Sequence, residues 1–367
     1  MTLRTKILGG VLVFLVLVGA ALAYVLSHNS ACGPAPALAA QAPRMNAIVY
    51  RCYGPPRVLE YEAVAKPIPA DNQLLVKVRA AAINPLEWHY MRGTPYFMRL
   101  GVGLGAPTDP SLGSDFSGTV EAVGKSVTRF KAGDEVFGGR HGALAEYVVV
   151  SESGGVALKP ANITFEQAAA VPVAAVTALQ GLRDTGKIKA GQKVLINGAS
   201  GGVGTFAVQI AKSYGAEVTG VCSTRNMQLV KSLGADHVID YTQEDFTRGS
   251  QHYDMIFDNI GNHSMSDYRR VMQPNGIFVI VGGPKGDWLG PLIMPLKAKV
   301  LAPFMSQKFD FFLADLDHGD LEILGDLLRN SKVTPVVDRT YPLRDIRAAM
   351  QYLEAGHARG KVVITVP

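Results

Sequence analysis

Three groups of residues in this chain have types and spacing suited to chemistry. The first is Gly198-Ala199-Ser200-Gly201-Gly202-Val203-Gly204, which carries no large or charged side chain. Glycine at 201 lets a backbone approach a bulky anion, and glycine at 204 lets a following helix pack closely on the preceding strand. A helix that starts here aims free N–H groups and the positive end of its dipole at the anion. The second group is Ser223-Thr224-Arg225. A carboxylate at such a place would hold a ribose 2′-hydroxyl. Here two hydroxyls and a guanidinium suit a 2′-phosphate, and no carboxylate is present to repel one. The ligand expected is NADP(H) rather than NAD; otherwise Arg225 is a solvated helix-start residue. The third group runs from Asn84 through Glu87, Trp88, His89 and Tyr90 to Tyr96. His89 titrates near neutral pH and can donate a proton to a reduced oxygen. Packing between Trp88 and Tyr90 accounts for it equally well.

A glycine motif is weak evidence alone, so the flanking elements decide. Lys193 to Asn197 is a short apolar run fit for a strand buried on both faces. The glycines follow, then a helical face of Val203, Phe206, Ala207, Ile210 and Ala211 that ends at Gly215. Glu217 to Val221 reads as a second strand. A helix over 227–233 and strands over 237–241, 253–257 and 276–281 continue the alternation. The corners Asp258–Gly261 and Gly282–Gly283 close the last two strands and should face the ligand, because open parallel sheets bind at their carboxyl ends.

The flanks read differently. Alternation over 74–80 and 118–123, a β-branched run over 146–150 and turns at Asp71-Asn72 and Lys131–Asp134 point to a partly open barrel. Thr164 with Gln167 forms a capping box for another helix. Val333 to Pro367 returns to strand-like patterns. The fold class expected is α/β: a barrel domain plus a doubly wound parallel sheet, with an N-terminal transmembrane helix. The divisions expected are 1–29 (membrane anchor or signal), 30–45 (linker), 46–165 (barrel domain), 166–309 (dinucleotide domain) and 310–367 (return to the barrel domain).

The anchor expectation rests on Ile7 to Leu26, 20 residues without a charge after Arg4 and Lys6. Such a helix spans about 30 Å, the hydrocarbon thickness of a bilayer. A cleaved signal peptide, with Ala21-Leu22-Ala23 or Ala40-Gln41-Ala42 as the cut site, is the second reading. The positive-inside rule puts the body outside, whereas supply of the cofactor favours the cytoplasm. The net charge of +5 comes without Lys/Arg runs or interleaved aromatics, which excludes a nucleic-acid surface. Cys32, Cys52 and Cys222 form no CxxC pair and read as isolated thiols of a reducing compartment. The stretch Pro284 to Phe312, rich in Met, Phe, Leu and Pro, fits an apolar lid or a homodimer contact.

Several motifs fall in one order: Asn84-Pro85, Gly113-Ser114-Asp115-Phe116-Ser117-Gly118, Gly133-Asp134-Glu135-Val136, Ala145-Glu146-Tyr147, Thr177-Ala178, Ala199 to Gly204, Leu233-Gly234-Ala235-Asp236 and Gly360-Lys361-Val362. On these, residues 46–367 resemble the medium-chain dehydrogenase/reductase superfamily, in its zinc-free quinone oxidoreductase (zeta-crystallin-like) branch. The resemblance implies a GroES-like catalytic domain built from both ends of the chain around a Rossmann domain, with cofactor and substrate in the cleft between. It places Asn84 in that cleft, Thr177 near the nicotinamide ribose, Tyr241 over the adenosine 2′-phosphate beside Ser223 and Arg225, and Asn259 and Gly282 beside the nicotinamide. A tyrosine often stands where this chain has His89. Zinc-dependent members carry a cysteine near Asn84 and Gly-His-Glu at Gly113-Ser114-Asp115, so no metal is expected. Without a Lewis acid the acceptors expected are quinones and enones, whose product charge is delocalised. The competing readings are a zinc-independent alcohol or aldehyde dehydrogenase and a membrane-tethered NADPH-binding protein with little turnover.

Overall fold

The computed structural model describes residues 3–39, 41–284 and 286–367, and the side chains of these except 3–10 and 12. After α1 (Leu3–Ser27), β1 (Arg44–Val49) and β2 (Glu60–Ala65) form a two-stranded antiparallel ribbon. β3 (Gln73–Ile83) leads into α2 (Pro85–Arg92) and the single turn α3 (Arg99–Val102). Next come β4 (Asp115–Val123), β5 (Glu135–Gly139), β6 (Tyr147–Ser151) and β7 (Val156–Leu158). α4 (Phe165–Ala169) and α5 (Pro172–Gln180) carry the chain across to β8 (Lys193–Asn197). Then alternate α6 (Gly202–Ser213), β9 (Glu217–Cys222), α7 (Met227–Ser232), β10 (His237–Asp240), β11 (Tyr253–Asp258), α8 (Met265–Arg270), β12 (Met272–Ile280), α9 (Gly290–Leu301) and β13 (Lys308–Phe311). The tail adds α10 (His318–Arg329), β14 (Val337–Pro342), α11 (Ile346–Glu354) and β15 (Lys361–Thr365).

One sheet has the order β10-β9-β8-β11-β12-β13 and is parallel throughout. Its strand order reverses between β8 and β11, the switch point where such sheets bind ligands. Val194, Leu195 and Ile196 are wholly buried there, which accounts for the unbroken apolar run. The other sheet runs β14-β15-β3-β4-β5-β7, with β6 also on β3. β15 pairs antiparallel with β3, which puts the C-terminal strand in the same sheet as the strands that follow residue 73. The architecture is a GroES-like domain with a Rossmann domain. α10 buries Leu321, Leu324 and Leu328 in the core shared by α5 and α6, and β14 is the first element after it in the sheet of β3 and β15. The stretch 284–312 holds α9 and the edge strand β13. Thr164 caps α4 as its spacing predicts, its hydroxyl accepting from Gln167 N at 3.2 Å.

The N-terminal expectation is corrected. Among the described residues no helix is long and apolar enough to cross a membrane, and the membrane anchor at 7–26 falls with that, together with the localisation built on it. Part of that segment, the side chains of 7–10 and 12, lies outside the described residues. The end of α1 is held by the catalytic domain. Arg99, 1% exposed, donates to His28 O at 2.9 Å, to Asn29 Oδ1 at 2.8 Å and to Gly93 O at 2.7 Å. Its guanidinium lies over the rings of Tyr53 and Tyr96. Ser30 N donates to Gly105 O at 2.9 Å. Cys32 is joined to Cys52 in a disulfide, which corrects the reading of isolated thiols; Cys222 is free and buried.

Two outcomes are expected. Thiol titration of the denatured, unreduced protein should give one group per chain, rising to three after reduction. Arg99→Met should cost about 1–3 kcal/mol in urea unfolding, because the buried Gly93 carbonyl loses its donor, while the His28 and Asn29 oxygens belong to exposed residues.

Candidate functional site

The glycine loop occupies the switch point between β8 and α6. A Cβ on Gly204 would lie 2.1 Å from Gly198 O, so helix and strand approach as the spacing requires. Gly198 has φ +77°, a left-handed conformation that favours glycine. Ala199, wholly buried, stands where a first glycine is usual, and its N–H donates to Val221 O. A Cβ on Gly201 would meet only Gly198 O, at 3.4 Å, so this residue borders open space. The first turn of α6 leaves backbone N–H groups without intrahelical partners facing that space. An anionic pyrophosphate fits this cradle. The loop is fastened from two sides: Asn226 Nδ2 donates to Ser200 Oγ at 2.9 Å, and Gly360 N donates to Ser200 O at 2.9 Å. Gly201 also pairs with Gly360 as an isolated bridge, which ties the Rossmann loop to the start of β15.

At the end of β9, Ser223 precedes a single helical turn containing Thr224 and Arg225. The absence of a carboxylate expected here is corrected. Asp240, closing β10, accepts from Thr224 Oγ1 at 2.5 Å and from Thr242 Oγ1 at 2.7 Å. These hydrogen bonds, Thr224 first, hold its carboxyl below the usual range. Thr224 therefore screens an anion and is not a free donor. Arg225 Nη2 donates to His357 O at 2.9 Å, and Tyr241 is exposed. Ser223 Oγ lies 3.3 Å from Asn226 Nδ2.

Around the end of β11, Asn197 Nδ2 donates to Asp258 Oδ1 at 2.9 Å, and Tyr268 OH donates to Asp258 Oδ2 at 2.7 Å. Burial raises the Asp258 carboxyl, against those hydrogen bonds. Asn259 Nδ2 donates to Asn197 O, while its Oδ1 is buried without a partner. A Cβ on Gly282 would lie 1.9 Å from Asn259 O, so only glycine fits that corner. The orphaned Asn259 Oδ1 and Asn226 Oδ1 are acceptors that a bound nucleotide with amide and hydroxyl donors fits. Thr177 donates to Val173 O within α5.

The third group of residues named from the sequence is built on α2. Asn84 is its N-cap, with Glu87 three residues on completing a capping box. The Asn84 amide is 5% exposed and both its ends are engaged: Nδ2 donates to Asp115 Oδ2 at 3.0 Å, and Oδ1 accepts from Lys361 Nζ. It is not free to contact a substrate. Lys361 Nζ also donates to Asp115 Oδ2 at 3.0 Å, and Val173 N donates to Asp115 Oδ1 at 2.8 Å. His89 stacks on Trp88 with centroids 3.8 Å apart, and its Nδ1 lies 2.6 Å from Thr94 O. Burial lowers its pKa despite that bond, which favours the neutral imidazole. Tyr96 packs edge-on against Trp288, and its N–H donates to Asp287 O at 2.7 Å. Sequence reasoning named neither Lys361 nor Asp115 nor Asn226 for the site. Gly360-Lys361-Val362 and Gly113-Ser114-Asp115 signalled two of them, as motifs without a role in the site; nothing signalled Asn226. Among the described residues no group of three His, Cys, Asp or Glu side chains converges on a metal position.

Comparisons with known proteins agree with this geometry. Residues 70–161 match the family described as alcohol dehydrogenase GroES-like domain, and residues 233–364 match zinc-binding dehydrogenase. The NADPH-dependent alkenal/one oxidoreductase, chloroplastic, of Arabidopsis thaliana is 37% identical over 87% of this chain and 79% of its own. The 2-methylene-furan-3-one reductase of Solanum lycopersicum is 36% identical over the same shares. Among solved structures, the quinone oxidoreductase from Coxiella burnetii is 31% identical with a TM-score of 0.77, covering 88% of this chain and all of that one.

Gly282→Ala is expected to displace the β11–β12 corner and to weaken NADPH binding at least tenfold, read by calorimetry, with the far-ultraviolet spectrum unchanged.

Proposed function

Because the chain belongs to the zinc-free quinone oxidoreductase branch of the medium-chain dehydrogenase/reductase superfamily, we propose that its cleft passes hydride from NADPH to a quinone or an α,β-unsaturated carbonyl. The protein is an NADP(H)-dependent oxidoreductase. When bound, NADPH supplies the hydride, and hydride addition to such acceptors leaves a hydroquinone anion or an enolate with delocalised charge. What the protein must do is align donor and acceptor in a dry cleft.

In this reading Ala199, Ser200, Gly201, Gly202, Val203 and Gly204 hold the pyrophosphate. Ser223 and Arg225 take the 2′-phosphate under Tyr241, and Thr224 keeps the Asp240 carboxylate covered so that the phosphate is not repelled. Thr177, Asn259 and Gly282 line the nicotinamide end. His89 and Tyr96 are placed on the acceptor side; His89 is neutral, with its one N–H at Nδ1 given to Thr94 O, which leaves Nε2 as a hydrogen-bond acceptor. Asn84 acts through Asp115 and Lys361, as a positioning residue. Residues 46–165 with the returning C-terminal strands form the acceptor side, and 166–309 with α10 form the cofactor side.

One observation carries the reading. The glycine loop at the switch point is hydrogen-bonded through Gly360 to the domain that carries α2, so cofactor loop and acceptor side share one frame.

Purified protein should oxidise NADPH when quinones or enones are supplied; no oxidation with either class would overturn the assignment. Replacing Ser223 and Arg225 together by Ala should weaken NADPH at least tenfold and leave NADH nearly unchanged, since charge-assisted hydrogen bonds are worth about 1.5–3 kcal/mol. Equal loss for both cofactors would refute the 2′-phosphate role.

A further inference from the structure

Beneath α2 lies a charge imbalance that the proposed reaction has not used. Glu87 is wholly buried. Its Oε2 accepts from Asn84 N at 2.6 Å, and its Oε1 has no hydrogen-bond partner. The charged groups facing it are Asp115, from β4, and Lys361, from β15. Tyr90 on its own helix is a neutral neighbour. Asp115 and Lys361 are also buried, and the Lys361 ammonium is bonded to Asp115 and Asn84. One buried ammonium balances one buried carboxylate, and a second carboxylate in that space would be an uncompensated charge. Asp115 has the lysine, a backbone N–H from Val173 and the Asn84 amide; Glu87 has one backbone N–H and the neighbouring Ser114 hydroxyl, and no cation bonded to it. Glu87 is therefore the group that keeps its proton. Burial, the largest cause, and the nearby Asp115 push its carboxyl up from 4.5 to about 7, against the Ser114 hydroxyl, the Asn84 amide and Lys361. Ser114 lies beside it and is only partly buried.

We propose that Glu87 is the internal acid of the reaction, a neutral carboxylic acid that delivers its proton through Ser114 to the acceptor once hydride has arrived. This rests on the hydride-transfer reading above. The Glu87 O–H bond breaks as Ser114 Oγ gains that proton. The proton already on Ser114 passes to the anionic oxygen or α-carbon of the reduced acceptor. Water then returns a proton to Glu87. The electron pair comes from NADPH and ends on the acceptor, so no further oxidant or reductant is needed.

The test compares wild type with Glu87→Gln, which preserves shape and an acceptor for Asn84 N, and with Ser114→Ala. In the absence of substrate, the folded wild type holds a proton that the unfolded chain releases near pH 4.5. Its Tm relative to Glu87→Gln should therefore fall as pH rises from about 5 to about 7 and level off above. With NADPH and a quinone or enone, wild-type kcat should decline above about pH 7 and show a solvent isotope effect. Both features should vanish in Glu87→Gln, with kcat reduced tenfold or more and the Kd for NADPH unchanged; Ser114→Ala should also lower kcat at an unchanged Kd. A Tm difference independent of pH would overturn the inference, because Glu87 would then be ionised in the fold. Wild-type kcat and pH profile in Glu87→Gln would overturn it with hydride transfer intact. No turnover by wild type with either acceptor class would instead bring down the functional reading, and the inference with it.

Discussion

A single buried ammonium, Lys361 Nζ, holds the working parts of this protein together. An ammonium in a low-dielectric interior is costly unless paired and fully hydrogen-bonded. Here the pairing comes from Asp115 on β4 and the Asn84 amide at the start of α2. The other oxygen of Asp115 accepts from Val173 at the start of α5, the helix that leads towards the Rossmann sheet. The backbone just before Lys361 is bonded to the cofactor loop. One ion pair thus fixes a catalytic-domain strand, a helix on each side of the cleft and the nucleotide cradle relative to one another. Removing either charge would leave the other buried and unpaired, which is why these positions are more sensitive than their distance from the cofactor loop suggests.

The N-terminal segment is organised by a second buried cation, Arg99, with a different solution. Arg99 has carbonyl and amide oxygens and two aromatic faces as partners, and no carboxylate. Those partners come from residues 28 and 29, from Tyr53 and from the 93–99 loop, so the chain after α1 is packed beside the loop that follows α2, and the Cys32–Cys52 disulfide fastens it covalently. Hydropathy along 7–26 describes what a free helix would prefer. It carries no information about Arg99 or Cys52, which lie far along the sequence.

The Rossmann strands β8 to β12 were legible because each is a short apolar run ending at a glycine or polar corner, and the period of burial is visible locally. β13 was not. It is four residues at the sheet edge, with Lys308 and Asp310 alternating with Phe309 and Phe311, too short for a period to emerge from its apolar surroundings. The relation between Thr224 and Asp240 was hidden for another reason. The two residues are brought together by parallel pairing of β9 and β10, so the carboxylate bonded to Thr224 belongs to a different strand from the one that leads into Ser223 and Arg225.

Sequence by itself determined what depends on neighbours along the chain: the glycine loop between strand and helix, the capping box at Thr164, and the run of motifs that places the chain in its superfamily. Those features act over a few residues, within one hydrogen bond or one helical turn. Tertiary structure alone decided which buried charges face each other. Asn84, Glu87, Asp115 and Lys361 come from three separated stretches, and whether a carboxyl keeps its proton depends on how many cations share its cavity. Electrostatic energies inside a protein are set by distance and dielectric, and neither is written in the order of residues.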